Sequence, residues 1–280
     1  MKQIILLLAI LFIGCQPTTK STEATTANPS PSIEQPPLVN LSSDSIQSFF
    51  TKKNITGCFI LYDFKNDHFS IYNEKRANTE FRPASTFKIP NSMFALETGV
   101  VKDEEQMFKW DGKKKFLKIW ERDHNLRSGI KNSVVWLYQK IARDIGEERM
   151  QQWIDSIGYG NQNIDGGIDM FWLDGDIRIT PLQQIELLKK IHLEALPFSK
   201  RTMTIFKDIM TLEKTEDYIY RGKTGWDASL TPNIGWFVGY VERDENAYFF
   251  VNNMEFTDRK LGKERKGIAE EILKKLRLID

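Results

Sequence analysis

The sequence predicts an α+β fold: one antiparallel sheet assembled from both chain ends and flanked by helices, plus a mostly helical lobe from the middle. Three observations predict it. Strand-like runs open the folded part at Thr56 to Phe64 and His68 to Asn73, and others close it at Asp217 to Trp226, Ile234 to Glu242 and Ala247 to Met254. Between them, from about 84 to 212, the apolar residues recur at helical spacing. Strands at both ends with helices between do not make a βαβ repeat, so a shared antiparallel sheet is the simplest way to bury both sets. A cleft between sheet and lobe is the default place for a site. A chain of 280 residues is long enough to build such a core.

Each element has its own signal. "MKQIILLLAILFIGC" is one lysine followed by an apolar run too short to span a bilayer, the form of a secretory leader over residues 1–14. Its Gly14-Cys15 ending is similar to a lipobox, which predicts a lipidated Cys15 and attachment to a membrane. Residues 15–40 are rich in Thr, Ser and Pro and poor in large apolar groups, so they read as a tether. The folded domain then occupies residues 41–280, and the first two strands meet at the turn Lys65-Asn66-Asp67. In "RPASTFKIPNSMFALETG", residues 82–99, Pro83 and Ser85 read as helix start signals and Gly99 as a stop. "NSVVWLYQKIARDIG" places Val134, Tyr138, Ile141 and Ile145 on one stripe, and Thr180-Pro181 opens another helix. A last helix, Lys263 to Leu278, carries Ile268, Ile272 and Leu276 on one face.

Composition narrows the function. The 39 basic and 38 acidic residues leave a net charge of +1, which excludes a typical nucleic-acid binder. With Cys15 lipidated, Cys58 would be the other of two cysteines, so no intramolecular disulfide is expected. Cys58 sits in an apolar strand pattern and reads as an inert buried thiol. Three histidines, without H-E-x-x-H or C-x-x-C, make zinc catalysis unlikely and predict no metal cofactor.

The chemistry is carried by short motifs that are weak one at a time. Ser85 and Lys88 are three residues apart, hence on one helix face, which suits a nucleophile with its base and equally a capping serine with a solvated lysine. Ser133, ahead of a helical pattern, reads alone as an N-cap. "GYGN", Gly158 to Asn161, reads alone as a helix-ending turn, and the "FWLDG" aromatic pair as core packing. Gly225, in Lys223-Thr224-Gly225 inside a strand pattern, marks either a bulge or a close approach to the backbone.

Order and spacing make them specific. Ser-x-x-Lys, then Ser-x-Val 48 residues on, Tyr-Gly-Asn 26 beyond that, then Lys-Thr-Gly, resembles the signature of the class D β-lactamases. The resemblance runs from about Gly57 to Ile268 and includes "FILYD", "RPASTFKIPNS", "FWLDGDIRITPLQQIELL" and "KTGW…GWFVGYVE". Class A enzymes carry Ser-Asp-Asn where Ser133-Val134-Val135 stands here. The resemblance implies a β-lactamase/transpeptidase-like fold, a penicillin-recognising serine hydrolase over 41–280, and small-molecule β-lactam substrates.

The roles follow from the same resemblance. Ser85 would be the nucleophile and Lys88 the base after N-carboxylation by carbon dioxide, with no other cofactor. Among Phe87, Trp172 and Val134–Val135, burial would favour the neutral amine that such a reaction needs. Trp172 would donate to the carbamate and Ser133 would protonate the leaving nitrogen. The backbone N–H groups of Ser85 and Trp226 would bind the oxyanion, and Val135, Lys223, Thr224, Gly225 and Arg265 would contact substrate. Arg259 is the alternative carboxylate ligand to Arg265. A transpeptidase and a β-lactam sensor share the constellation but usually bring further domains or membrane helices, neither of which is expected here. A catalytically inactive peptidoglycan-binding module is the non-enzymatic alternative. The intact set of Ser85, Lys88, Ser133 and Lys223 argues against that inactive module. Oligomeric state has no signal in the sequence.

Overall fold

The computed structural model describes residues 41–280; the leader and the tether with Cys15 expected from the sequence lie outside the described residues. Helix α1 (Ser43–Thr51) starts at Ser42, whose hydroxyl accepts from the Ser45 N–H, and it precedes β1 (Thr56–Asp63) and β2 (His68–Tyr72). A short α2 (Glu74–Ala77) and a 3-10 turn (Ala84–Phe87) lead into α3 (Lys88–Glu97). The lobe continues through α4 (Leu126–Lys131), α5 (Val135–Ile145), α6 (Glu147–Ile157), α7 (Pro181–His192) and α8 (Lys200–Ile209). The chain returns to the sheet with β3 (Thr211–Lys214), β4 (Tyr218–Asp227), β5 (Asn233–Arg243) and β6 (Asn246–Phe256), and ends in α9 (Glu264–Lys275).

The six strands run in the order β2-β1-β6-β5-β4-β3, with every pairing antiparallel. The early strand β1 pairs with the late strand β6, Leu61 opposite Phe250, so both chain ends share one sheet as the sequence predicts. Two apolar layers cover it. Trp236, Val238, Tyr240, Phe249 and Val251 face the helical lobe, packed in one core with Phe87, Met93, Leu137 and Ile185. Their alternates Phe237, Val241, Phe250 and Met254 face the other way, in a second core with Phe50 of α1 and Ile268 and Ile272 of α9. With both faces covered, β5 is buried from Asn233 to Val241, which explains its long apolar run.

Two elements depart from the sequence reading. The 3-10 turn Ala84–Phe87 stands where a helix start was expected, and α3 begins only at Lys88. Strand β3, short and mostly exposed at the sheet edge, lacks the apolar alternation that marks a half-buried strand.

Candidate active site

Ser85 reaches Lys88 through the 3-10 turn rather than through an α-helical one. A 3-10 turn has three residues per turn, so side chains at i and i+3 eclipse. The Lys88 Nζ accordingly donates to Ser85 Oγ at 2.9 Å. Ala84, just ahead, is held at φ +48°, an unfavourable left-handed conformation for a non-glycine residue. Ser85 is half-buried and open to a ligand, whereas Lys88 has no exposed surface. The lysine lies with its Nζ 5.2 Å from the Tyr138 ring centroid, and Tyr138 is tied to Ser92, which donates in turn to the Lys88 carbonyl at 2.7 Å. Burial alone pushes the Lys88 amine down from 10.5 to about 7.

Ser133 is not the helix cap that its sequence position suggests. Val134 holds the cap position of α5, and Ser133 sits at φ +53° with its hydroxyl accepting from Lys223 Nζ at 3.0 Å. Lys223 lies in β4, which pairs with β5 in continuous register through Gly225 opposite Trp236, so there is no bulge at the glycine. A Cβ on Gly225 would lie 3.0 Å from the Pro83 carbonyl oxygen and 3.1 Å from Thr86 Cγ2. Glycine is therefore what lets the Lys-Thr-Gly strand lie against the turn that carries Ser85. Thr224 and Trp226 are half-buried along the same strand, and Val135 is half-buried as the first residue of α5.

Three basic side chains gather at the site. Burial, and then the charges of Lys88 and Arg265, drive the Lys223 amine well below its usual value. Arg265, on α9, lies over the Trp226 ring at 5.3 Å and donates to the Gly262 carbonyl, while its Nε is buried without a hydrogen-bond partner. Its alternative, Arg259, is exposed in the 3-10 turn before α9. Arg265 is thus the arginine whose charge Lys223 feels. Among the described residues, no group of three or more His, Cys, Asp or Glu could hold a metal ion. Cys58 is a free, buried thiol pushed up to about 12 by desolvation, the inert residue expected.

Trp172 enters from a loop after α6. It stacks on Phe87 at 5.3 Å with a 23° interplanar angle, and its indole N–H is buried with no hydrogen-bond partner. The Tyr-Gly-Asn motif fixes that loop. Asn161 N–H donates to the Arg178 carbonyl, its side-chain oxygen accepts from Arg178 N–H, and its amide donates to the Asp176 carbonyl, each at 2.9 Å. A Cβ on Gly160 (φ +55°) would stand 1.9 Å from the Arg178 oxygen. The motif is a staple as well as a helix-ending turn. Tyr138 is a wall of the Lys88 pocket that sequence reasoning placed only on a buried stripe; helical spacing marks it as apolar-facing but not what it faces.

The lowered Lys88 pKa has a stability consequence of definite sign. Between about 7 and the ordinary 10.5 the unfolded chain binds one more proton at this site than the folded chain, so folding stability rises with pH across that window. Below about 7 the amine is protonated in both states and the penalty for burying the charge is complete. Urea unfolding at several pH values in carbon-dioxide-free buffer should show this rise. In Lys88→Met its slope should be smaller by about one proton.

The family model of the penicillin binding protein transpeptidase domain matches residues 45–276. A curated relative, the β-lactamase OXA-48 of Klebsiella pneumoniae, is 46% identical over 236 residues, 84% of this chain and 89% of that protein. Among solved structures, the class D β-lactamase YbXI from Nostoc aligns with a TM-score of 0.82 and 45% identity, covering 84% of this chain and 99% of that one. FUS-1 (OXA-85), a class D β-lactamase from Fusobacterium nucleatum subsp. polymorphum, aligns with a TM-score of 0.83 and 41% identity, covering 86% of this chain and all of that one, 100%. Identity at this level across most of the chain, on the same sheet-and-lobe architecture, means that the chain belongs to the class D β-lactamase family.

Proposed function

We propose that this protein hydrolyses the amide bond of β-lactam antibiotics through an acyl-enzyme on Ser85, and so confers resistance to them. The observation that carries the reading is the Lys88 amine, fully buried, lowered to about 7 and 2.9 Å from the Ser85 hydroxyl. A serine hydroxyl is a weak nucleophile until an adjacent base takes its proton. The residues around Lys88 fit a carboxylated lysine. The amine is partly neutral at physiological pH, it has no exposed surface, and the Trp172 N–H beside Phe87 is an orphaned buried donor suited to an anion. Uptake of carbon dioxide forms an N–C bond and releases a proton, supplying a base that stays anionic at neutral pH.

The chain's own groups then divide the work. Ser85 Oγ bonds to the lactam carbonyl carbon as its proton passes to the base at Lys88. The carbonyl oxygen takes up charge toward the backbone N–H groups of Ser85 and Trp226, an arrangement whose single donors are typically worth about 10²–10³ in rate. As the C–N bond breaks, Ser133, hydrogen-bonded to Lys223, delivers a proton to the ring nitrogen, and the proton that Ser85 gave to the base makes good that loss, which leaves the base free again. Water then gives a proton to the freed base at Lys88 and adds to the acyl carbonyl carbon; the C–O bond to Ser85 breaks, and Ser85 Oγ takes that proton back. Lys223, Thr224 and Arg265 attract the substrate carboxylate, which answers the mutual repulsion of the site's cations. Gly225 and Val135 shape the walls on either side.

Steady turnover of a chromogenic cephalosporin is the test, against one stoichiometric burst from a transpeptidase or sensor and no adduct from an inert binding module. Ser85→Ala should abolish both turnover and the covalent mass increase left by a slow substrate; an adduct that persists assigns the nucleophile elsewhere.

Trp172→Phe keeps the ring but deletes the donor. Losing a partner for a buried anion costs about 1–3 kcal/mol, so half-maximal activity should need about 5- to 150-fold more bicarbonate. Carbon-13 NMR with labelled bicarbonate should show a carbamate signal in the wild type that is weak in this variant.

The sequence pattern of residues 1–40 supports export and attachment to a membrane through a lipidated Cys15. Cys15→Ala should move the protein from the membrane fraction to the soluble one or block its processing. Wild-type protein found wholly in the soluble fraction would exclude the anchor.

A further inference from the structure

Arg82, three residues before Ser85, makes contacts on both sides of the site. Its side chain is only 12% exposed, and its Nη1 donates to Asp174 Oδ1 at 2.7 Å and to Ser229 Oγ at 3.0 Å, with a longer contact to the Leu173 carbonyl at 3.4 Å. Its Nε lies 3.3 Å from Asp227 Oδ2, a carboxylate 1% exposed. Asp174 follows Trp172 by two residues, and Asp227 immediately follows Trp226. The Arg82 carbonyl in turn accepts from the Trp236 indole N–H on β5 at 2.9 Å.

We propose that Arg82 is a positioning residue, a strap whose one guanidinium fixes the Trp172 loop and the β4–β5 turn to the strained segment that delivers Ser85. The proposal deepens the hydrolase reading and rests on it for its kinetic consequences. The chemistry favours arginine for this place, because a planar fork of N–H donors can serve two carboxylates in different directions, which an ammonium does poorly. The two anions also differ in what they need. Asp227 Oδ1 already accepts from the Ser229 N–H at 3.0 Å and its hydroxyl at 2.6 Å, whereas Oδ2 is buried with the Arg82 charge as its counter-ion and no hydrogen bond. Asp174 is 63% exposed, so water can replace Arg82 there. Release of Arg82 therefore frees the Trp172 loop and leaves a buried carboxylate next to the proposed oxyanion donor Trp226, which drives that turn outward.

Hydrogen exchange and kinetics on the full chain test this with Arg82→Ala, Arg82→Lys, Asp174→Asn and Asp227→Asn. Arg82→Ala should speed amide exchange in residues 171–178 and 227–233 together. For a chromogenic cephalosporin, kcat and kcat/KM should fall in parallel by about tenfold or more, because the displaced groups act on bound substrate in the transition state. Half-saturating bicarbonate should rise at least about threefold, a readout that a general loss of stability does not move. Arg82→Lys should recover part of each loss by restoring the charge without the fork. Asp174→Asn should loosen only 171–178 and raise the bicarbonate requirement, while Asp227→Asn should loosen only 227–233 and lower kcat with that requirement unchanged. Unchanged exchange in either loop of Arg82→Ala, or loosened loops with wild-type kinetics, would overturn the strap. Where Arg82→Ala does not fold, Asp174→Asn decides, since wild-type exchange in 171–178 would show that Arg82 does not hold that loop. A wild type without turnover would instead remove the hydrolase reading, and the exchange data would still report on the strap.

Discussion

A lysine ammonium removed from water must find an anion, be solvated by dipoles or lose its proton, and Lys88 meets this constraint at the centre of the helical lobe. Phe87 before it, Tyr138 beside its amine and Trp172, stacked on Phe87, are all fully buried, and the neutral Ser85 hydroxyl accepts from its amine. Desolvation therefore settles the outcome, and the amine falls to about 7. Burying an amine without a counter-ion is destabilising, and the side chains around it are closely packed rings. Phe87 contacts Tyr159, Phe171 and Trp172 at centroid distances of 4.9–5.4 Å. The same apolar pocket makes the ammonium a stronger acid, so that near neutral pH much of Lys88 is the neutral amine that the proposed reaction with carbon dioxide needs.

The second demand is to bring groups from distant parts of the chain against that lysine. The lobe supplies Ser85, Lys88 and Ser133; the sheet supplies Lys223 to Trp226; and α9 supplies Arg265. Antiparallel pairing of β1 with β6 closes the sheet that holds them, and the contact of Gly225 with the Pro83 carbonyl sets the spacing between strand and serine. With Lys88 and Arg265 close by, the Lys223 amine is lowered by their charges as well as by its own burial.

The sequence by itself determined the class of fold and singled out the residues proposed to react. The apolar strand-like runs of β5 and β6 and the helical periodicity between about 84 and 212 specify local structure, and both are properties of the chain alone. The order Ser-x-x-Lys, Ser-x-Val, Tyr-Gly-Asn, Lys-Thr-Gly likewise lies in the sequence as written. Only the tertiary structure decided what those residues touch. Ser133 gives up the cap for a left-handed backbone and a bond to Lys223, ninety positions away, and Asn161 grips Arg178 rather than merely ending a helix. Arg82, one cation among 39 basic residues, has nothing in its neighbours to set it apart, yet it faces Asp174 and Asp227 across the site. Local periodicity fixes the direction in which a side chain leaves the backbone. Long-range partners follow from how sheet and lobe pack, and that packing is cooperative over the whole chain, with no signature in any short window of sequence.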